Sequence, residues 1–295
     1  QAYQSNVVGV PVKLIIVSGL SGSGKSVALN TLEDLGYYCI DNLPASLLGA
    51  LARELNLADA PFDKAAIGID ARNLPKALEA FGAILKQLHE HGIETEIIFL
   101  TSETDTLIKR FSESRRRHPL SNDGIALADA IEDEKVLLEF MARHSDLCID
   151  TTKTTIHQLR DLVTQRVARH TDNRLSLSFE SFGFKHGIPT DADFVFDARC
   201  LPNPHWKTEL RPLTGRDPAV VDFLEKLSPV VEFHQDLCLF FDKWINRFEA
   251  DNRSYLTIAI GCTGGQHRSV YLTEKLAAHF SKNHPNVTIR HRGLS

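Results

Sequence analysis

The eight residues Gly19-Leu-Ser-Gly-Ser-Gly-Lys-Ser26 constrain this chain more than any other stretch. They fit the pattern G-x-x-x-x-G-K-[ST]. They also stand between an apolar run, Leu14 to Ser18, and a helical pattern from Lys25 to Leu35, the strand, loop and helix order that such a loop requires. Glycines at 19, 22 and 24 let main-chain N–H groups turn inward around a phosphate, while the positive end of the following helix favours the anion. Lys25 is then placed to reach the β and γ phosphates of a purine nucleoside triphosphate, and Ser26 to ligate Mg²⁺. The candidate contacts are Gly19, Leu20, Ser21, Gly22, Ser23, Gly24, Lys25 and Ser26.

Around this loop, short apolar runs alternate with helical patterns. The runs Leu14 to Ser18, Tyr37 to Ile40, Ala65 to Ile69, Glu96 to Thr101 and Leu147 to Ile149 read as strands. Helices are expected after Pro44 and Pro75, over Thr104 to Arg116 and Ile125 to Ala142, and from about Thr155 to Ala168. Apolar strands each followed by a helix predict a parallel sheet covered on both faces. The polar stretch Arg169 to Arg174 interrupts the pattern and is the best linker, which places a boundary near 170. Strands Leu175 to Phe179, Phe194 to Ala198, Leu256 to Ile260 and Val287 to Arg290 follow, with helices near Val220 to Leu227, Val231 to Phe248 and up to about Lys282. The expected fold is α/β: a P-loop kinase-like parallel-sheet domain over 1–170, then a smaller Rossmann-like α/β domain over 171–295. A chain of 295 residues is the right length for two such domains. Its first ten or so residues, which open on Gln1, are left out of the fold reading as a lead-in.

An apolar share of 43% and a charged share of 24% let each half bury a core, so neither disorder nor a fibrous repeat is expected. No run approaches the roughly 20 apolar residues that cross a bilayer, nor does a leader pattern open the chain, so the expected location is the cytoplasm, with no membrane partner. Five cysteines without a C-x-x-C pair are expected to be reduced thiols, and no Cys/His set has zinc spacing. The net charge of −5 excludes an all-over basic coat but not a local patch. From His267 to Ser295, Arg268, Lys275, Lys282, Arg290 and Arg292 face a single acid, Glu274.

A metal-linked acid should end a strand next to the phosphate loop. Asp41 and Asp70 both qualify and the sequence does not choose; the working assignment pairs Ser26 with Asp41. The run Arg110, Arg115, Arg116, Arg117 and His118 lies where P-loop kinases carry a lid whose arginines stabilise charge on a transferred phosphoryl. In the second half, Gly261-Cys-Thr-Gly-Gly-Gln-His-Arg-Ser269 again lies between strand and helix and predicts a second anion site, with Thr263, Gly264, His267 and Arg268 as ligands. Cys262 to Arg268 also satisfies C-x-x-x-x-x-R, the spacing of cysteine phosphatases, although the residue before the cysteine is Gly261 where those enzymes carry His. Lys185, His186, Asp197, Arg199, Asn203 and His205 complete the site if folding gathers them.

These motifs have an order. The phosphate loop, Tyr38-Cys-Ile-Asp-Asn-Leu-Pro44, Asp70-Ala-Arg-Asn73, Arg116-Arg-His-Pro-Leu120, Phe179 to Pro189, Leu201-Pro-Asn-Pro-His-Trp206, Asn252 to Leu256 and Gly261 to Val270 together resemble the RapZ family of bacterial nucleotide-binding proteins, from about residue 13 onward. The resemblance implies a domain that binds ATP or GTP with Mg²⁺, with Asp70, Ala71, Arg72 and Asn73 matching the family's nucleotide contact. It implies a second domain that binds RNA and an amino-sugar phosphate, the latter through His205, Cys262, Thr263, Gly264, His267 and Arg268. It further implies oligomerisation and an adapter role, in which a small regulatory RNA is presented to an endoribonuclease to control glucosamine 6-phosphate synthesis, with slow triphosphatase activity at most. A small-molecule kinase and a cysteine phosphatase are the alternatives. The family's strongly basic tail has no counterpart in Arg290-His-Arg-Gly-Leu-Ser295, which leaves Lys275, Lys282, Arg290 and Arg292 as the residues expected to meet RNA.

Overall fold

Leu14, Ile15, Ile16 and Val17 carry no polar side chain, and all four are fully buried. A strand with apolar groups on both faces must be covered on both faces, and this one becomes the centre of a parallel sheet. In the computed structural model, which describes residues 13–44, 47–55, 64–71, 78–121, 125–168, 175–251 and 253–294, the chain divides into two compact units, Gln1–Thr164 and Gln165–Ser295.

The first unit runs β1 (Lys13–Gly19), α1 (Lys25–Asp34), β2 (Tyr38–Ile40), α2 (Leu48–Leu55), β3 (Lys64–Gly68), α3 (Leu78–Glu90), β4 (Glu94–Thr101), α4 (Thr104–Ser114), α5 (Leu127–Arg143), β5 (Leu147–Asp150) and α6 (Ile156–Ala168), the last of which passes the division. Its sheet has the order β2-β3-β1-β4-β5, and every pairing is parallel. From β1 the chain fills one side of the sheet and then the other, so the loop after β1 opens at the point where the order reverses, where such sheets bind ligands. Leu20 N–H donates to Leu100 O at 3.0 Å and seats that loop on the end of β4.

The second unit contains β6 (Ser176–Gly183), β7 (Phe194–Asp197), α7 (Pro218–Glu225), α8 (Ser228–Ala250), β8 (Tyr255–Cys262), α9 (Arg268–Phe280) and β9 (Val287–His291). Its sheet, ordered β7-β8-β6-β9, is also parallel throughout. The chain is therefore α/β with two parallel sheets, as its patterning predicts. Phe179 stacks on Phe280 at 5.5 Å between centroids, and Phe241 meets the same ring edge-on.

β6 runs further than its apolar pattern indicates. Glu180 and Ser181 continue the strand in full burial, because the Glu180 carboxylate is paired with Arg292 at 2.6 Å and lies 3.9 Å from Arg290. The candidate linker Arg169 to Arg174 lies outside the described residues, as do the first ten. Among the described residues no helix is long and apolar enough to cross a membrane. The five cysteines are free thiols.

Candidate functional site

Gly19 has φ +143°, and a Cβ there would lie 2.2 Å from Leu100 O, so the chain can enter the phosphate loop this close to β4 only through glycine. Gly24, at φ +109°, is the N-cap of α1, and Lys25 is that helix's first residue. The Lys25 ammonium donates to Gly19 O at 2.6 Å and spans the loop. Ser26 and Gly22 are exposed, whereas Ser21 and Ser23 are buried beneath them.

What supports the loop comes from far along the chain. Ser21 donates through its N–H to Glu134 Oε2 at 2.8 Å and through its hydroxyl to Oε1 at 2.7 Å. His118 Nε2 reaches the same Oε2 at 3.1 Å. Burial alone would push the Glu134 carboxyl up. The hydrogen bonds from His118 and Ser21, with the charge of Lys25, outweigh it and hold the group below the ordinary carboxylate range. Arg110 donates to Gly22 O at 3.0 Å and to Thr151 Oγ1 at 3.1 Å, and Thr151 Oγ1 in turn donates to Ser23 O at 2.9 Å.

The basic run that begins within α4 is thereby divided in its duties. Arg110 holds the loop, and His118 is buried against Phe111 with ring centroids 5.2 Å apart. Arg116 and Arg117 are exposed and line a cavity of about 570 Å³ together with the phosphate loop. Asp41 and Asp70 line it as well. Asp41 is exposed and its Oδ1 lies where a Cβ on Gly68 would be 2.8 Å away, while Asp70 is only 7% exposed. Ser26 with either acid gives an all-oxygen donor set, which fits a Mg²⁺ ion held mainly by water and phosphate oxygens. Ala71 is buried behind Asp70; Arg72 and Asn73 lie outside the described residues. Sequence reasoning missed Glu134 and Thr151. The signal for Glu134 was an acid on the otherwise apolar stripe Ala130, Ile131, Leu138 and Met141 of α5.

The second loop joins β8 to α9. A Cβ on Gly183, the last residue of β6, would lie 2.6 Å from the Gly264 carbonyl carbon, and one on Gly265, at φ +74°, 2.6 Å from Gly183 N. Backbone packs on backbone here, and Lys185 N–H donates to Thr263 O at 3.2 Å. Cys262 Sγ points inward, 3.1 Å from Ser269 Oγ. Burial would raise this thiol, yet the Ser269 hydroxyl, the N–H groups of Ser269 and Gly265, and the charge of Arg268 hold it below its ordinary value.

Arg268, the first residue of α9, is 4% exposed. Its Nη1 donates to Arg199 O at 3.0 Å and Leu201 O at 2.8 Å, and its Nη2 to Thr263 Oγ1 at 3.3 Å. Its buried Nε has no hydrogen-bond partner among the described residues. Thr263 is exposed, and with Arg268, Arg199, Asn203 and Lys207 it supplies the polar lining of a cavity of about 600 Å³ whose apolar lining includes Trp206 and Phe223. His267 donates through Nε2 to Leu210 O at 3.0 Å, and its burial pulls it below the ordinary histidine value. The His205 ring stands 6.4 Å from that of His267, so folding does gather these two. Asp197 and Arg199 pair with each other at 2.7 Å.

The four basic residues expected to meet RNA differ in what surrounds them. Arg292 is bound to Glu180 and Asp191, and Arg290 lies 3.9 Å from both acids. Lys275 is paired with Glu225. Lys282 is exposed beyond the end of α9.

A parallel sheet with a lysine-bearing phosphate loop at its switch point, followed by a second parallel sheet with its own glycine-rich loop, defines a two-unit P-loop α/β protein. The chain belongs to the RapZ family: residues 12–171 match the RapZ-like N-terminal domain and residues 175–295 the RapZ C-terminal domain. It is 57% identical over 284 residues to a nucleotide-binding protein of Nitrosococcus oceani, covering 96% of this chain and 100% of that one. With a nucleotide-binding protein of Methylococcus capsulatus it shares 56% identity, covering 96% of both chains. Among solved structures it is similar to shikimate kinase from Acinetobacter baumannii, at 13% identity and a TM-score of 0.38 over 55% of this chain and 96% of that one. A gluconokinase from Sinorhizobium meliloti gives 18% identity and a TM-score of 0.37, over 55% of this chain and 95% of that one.

Proposed function

We propose that this protein is a nucleotide-binding regulatory adapter of the RapZ type, acting in the cytoplasm as a homo-oligomer. The loop Gly19 to Ser26 takes the phosphates of ATP or GTP with Mg²⁺, and turnover does not exceed slow hydrolysis. The second loop takes an amino-sugar phosphate, with Thr263 and Arg268 as its polar contacts and His205, Cys262, Gly264 and His267 around them. The same unit presents a small regulatory RNA to an endoribonuclease and so sets glucosamine 6-phosphate synthesis. Lys282 is its foremost RNA contact, since Lys275, Arg290 and Arg292 share their charge with acids.

The observation that carries the second half of this reading is Arg268. A buried guanidinium is costly without an opposite charge. Among the described residues none is hydrogen-bonded to this one: its donors go to carbonyls and a hydroxyl, its Nε to nothing, and Asp197, which feels its charge, is engaged by Arg199. A phosphate monoester in the adjoining cavity supplies the missing anion. Thermal melts with ATP, GTP or glucosamine 6-phosphate test the reading, because a ligand of the native state raises the midpoint by mass action. Glucosamine 6-phosphate and at least one of the two nucleotides are expected to do so, with Lys25→Ala weakening the nucleotide response alone. A chain indifferent to all three contradicts the proposal.

One observation favours a second reading. Cys262, held toward its thiolate by N–H groups at the start of a helix and followed at the right spacing by Arg268, is the arrangement of a cysteine phosphatase. That enzyme would form a phosphocysteine that acid quenching traps. Intact sugar-phosphate binding in Cys262→Ser, with no turnover by the wild type, eliminates it.

A further inference from the structure

Two exposed arginines at the mouth of the phosphate-loop cavity are carried on a very short segment, and both of its ends are fixed. On one side α4 ends at Ser114, with Phe111 buried beneath its last turn and Arg115 turning the chain at φ 52°. On the other side His118 is 3% exposed, and between the two ends stand Arg116 and Arg117. What fixes His118 is Glu134. Leu120 N–H donates to His118 Nδ1 at 3.2 Å, which makes Nδ1 the acceptor and leaves the ring proton on Nε2, directed at Glu134 Oε2 3.1 Å away. The same carboxylate holds Ser21, in the phosphate loop, by main chain and side chain. Glu134 is fully buried and receives these three hydrogen bonds on two oxygens.

From this geometry we infer that Glu134 is a positioning residue for the nucleotide site: it locks the glycine loop and the base of the Arg116–Arg117 segment into one arrangement, so that loop and arginines meet the phosphates together. The inference rests on the reading of that cavity as a nucleotide site. Its physical basis is preorganisation. Donors and cations held in place before binding lose little freedom when the anion arrives. A carboxylate suits the task because three donors converge on it. A carboxamide at 134 meets the same demand in one orientation: its oxygen accepts from Ser21 N–H and His118, while its NH₂ donates to the Ser21 hydroxyl, which turns to accept.

The test is calorimetric titration of the full chain with Mg-ATP and Mg-GTP. Glu134→Ala is expected to weaken binding roughly tenfold or more, and Glu134→Gln to restore most of it. A merely structural role would leave the following cycle unmoved. Replacing Arg116 and Arg117 together by alanine is expected to weaken triphosphate binding in the wild type, and to do so much less in His118→Ala, where the segment is no longer anchored. Should Glu134→Ala fail to fold, the His118 cycle decides. Wild-type affinity in a folded Glu134→Ala, or an arginine effect undiminished by His118→Ala, overturns the inference while leaving the nucleotide reading intact. A wild type that binds no Mg-nucleotide overturns both.

Discussion

Lys25 and Arg268 occupy corresponding places: each is the first residue of the helix that follows a glycine-rich loop at the carboxyl end of a parallel strand. The lysine is half-buried and bonded to its own loop at Gly19 O. The arginine is buried and bonded to carbonyls of a different loop, at Arg199 and Leu201. In the first unit the cation is a compact ammonium on a flexible stem, bonded within its own loop, and the loop's shape is secured mainly by Glu134, Arg110 and Thr151. In the second unit the cation is itself the brace, a planar fork that holds two strand-end loops together. A phosphate-loop cation can thus serve as an anion contact alone or as a brace that also faces an anion cavity, and the difference lies in where its donors already go.

Removing each cation separates these roles. Arg268→Ala leaves the Arg199 and Leu201 carbonyls without a donor and is expected to cost about 2–4 kcal/mol of stability in urea or thermal melts. Lys25→Ala is expected to leave the melting transition nearly unchanged but to weaken Mg-nucleotide binding roughly 10- to 100-fold by calorimetry, the worth of a charge-assisted hydrogen bond to phosphate. A strongly destabilised Lys25→Ala with unimpaired nucleotide affinity would reverse the comparison.

The brace in the first unit is open to a pH test. The carboxyl of Glu134 lies below its unfolded value of about 4.3. Its contribution to stability is therefore fully present above that pH and is lost as pH falls through the folded value. Urea melts across about pH 3 to 6 should show wild type and Glu134→Gln converging as the pH falls. A gap that widens on acidification contradicts the assignment. Cys262 sharpens the contrast inside the second unit. There Cys238 is pushed up to about 11, chiefly by burial, as Cys39 is in the first unit, whereas Cys262 is held below its ordinary value. Thiolate ultraviolet absorbance should show one early titration, absent from Cys262→Ser. The smallest expected effect is on RNA: Lys282→Ala should flatten the salt dependence of binding by about 0.7 in log–log slope for a single-stranded contact.

Most of this fold was legible from periodicity, because β1, β4 and β8 are apolar on both faces and their helices begin after glycine, proline or a polar turn. The phosphate loop was legible for the same reason, since all eight of its residues are consecutive. What escaped depended on partners far apart in sequence. Glu134 joins Ser21 across 113 positions, and Thr151 joins Ser23 across 128. The stretch from His267 to Ser295 looks basic by local count, yet Glu180, Asp191 and Glu225, all outside it, hold three of its cations. β6 read as ending at Phe179 because Glu180 interrupts its apolar pattern, and it is Arg292 and Arg290, more than a hundred residues on, together with Arg166, that explain why that acid is buried.

The most direct measurement of the central claim is a calorimetric titration of the intact wild-type chain with Mg-ATP and with Mg-GTP. The account predicts saturable heat at one site per chain from at least one of them. No heat from either, from a chain whose melt shows it to be folded, would contradict it.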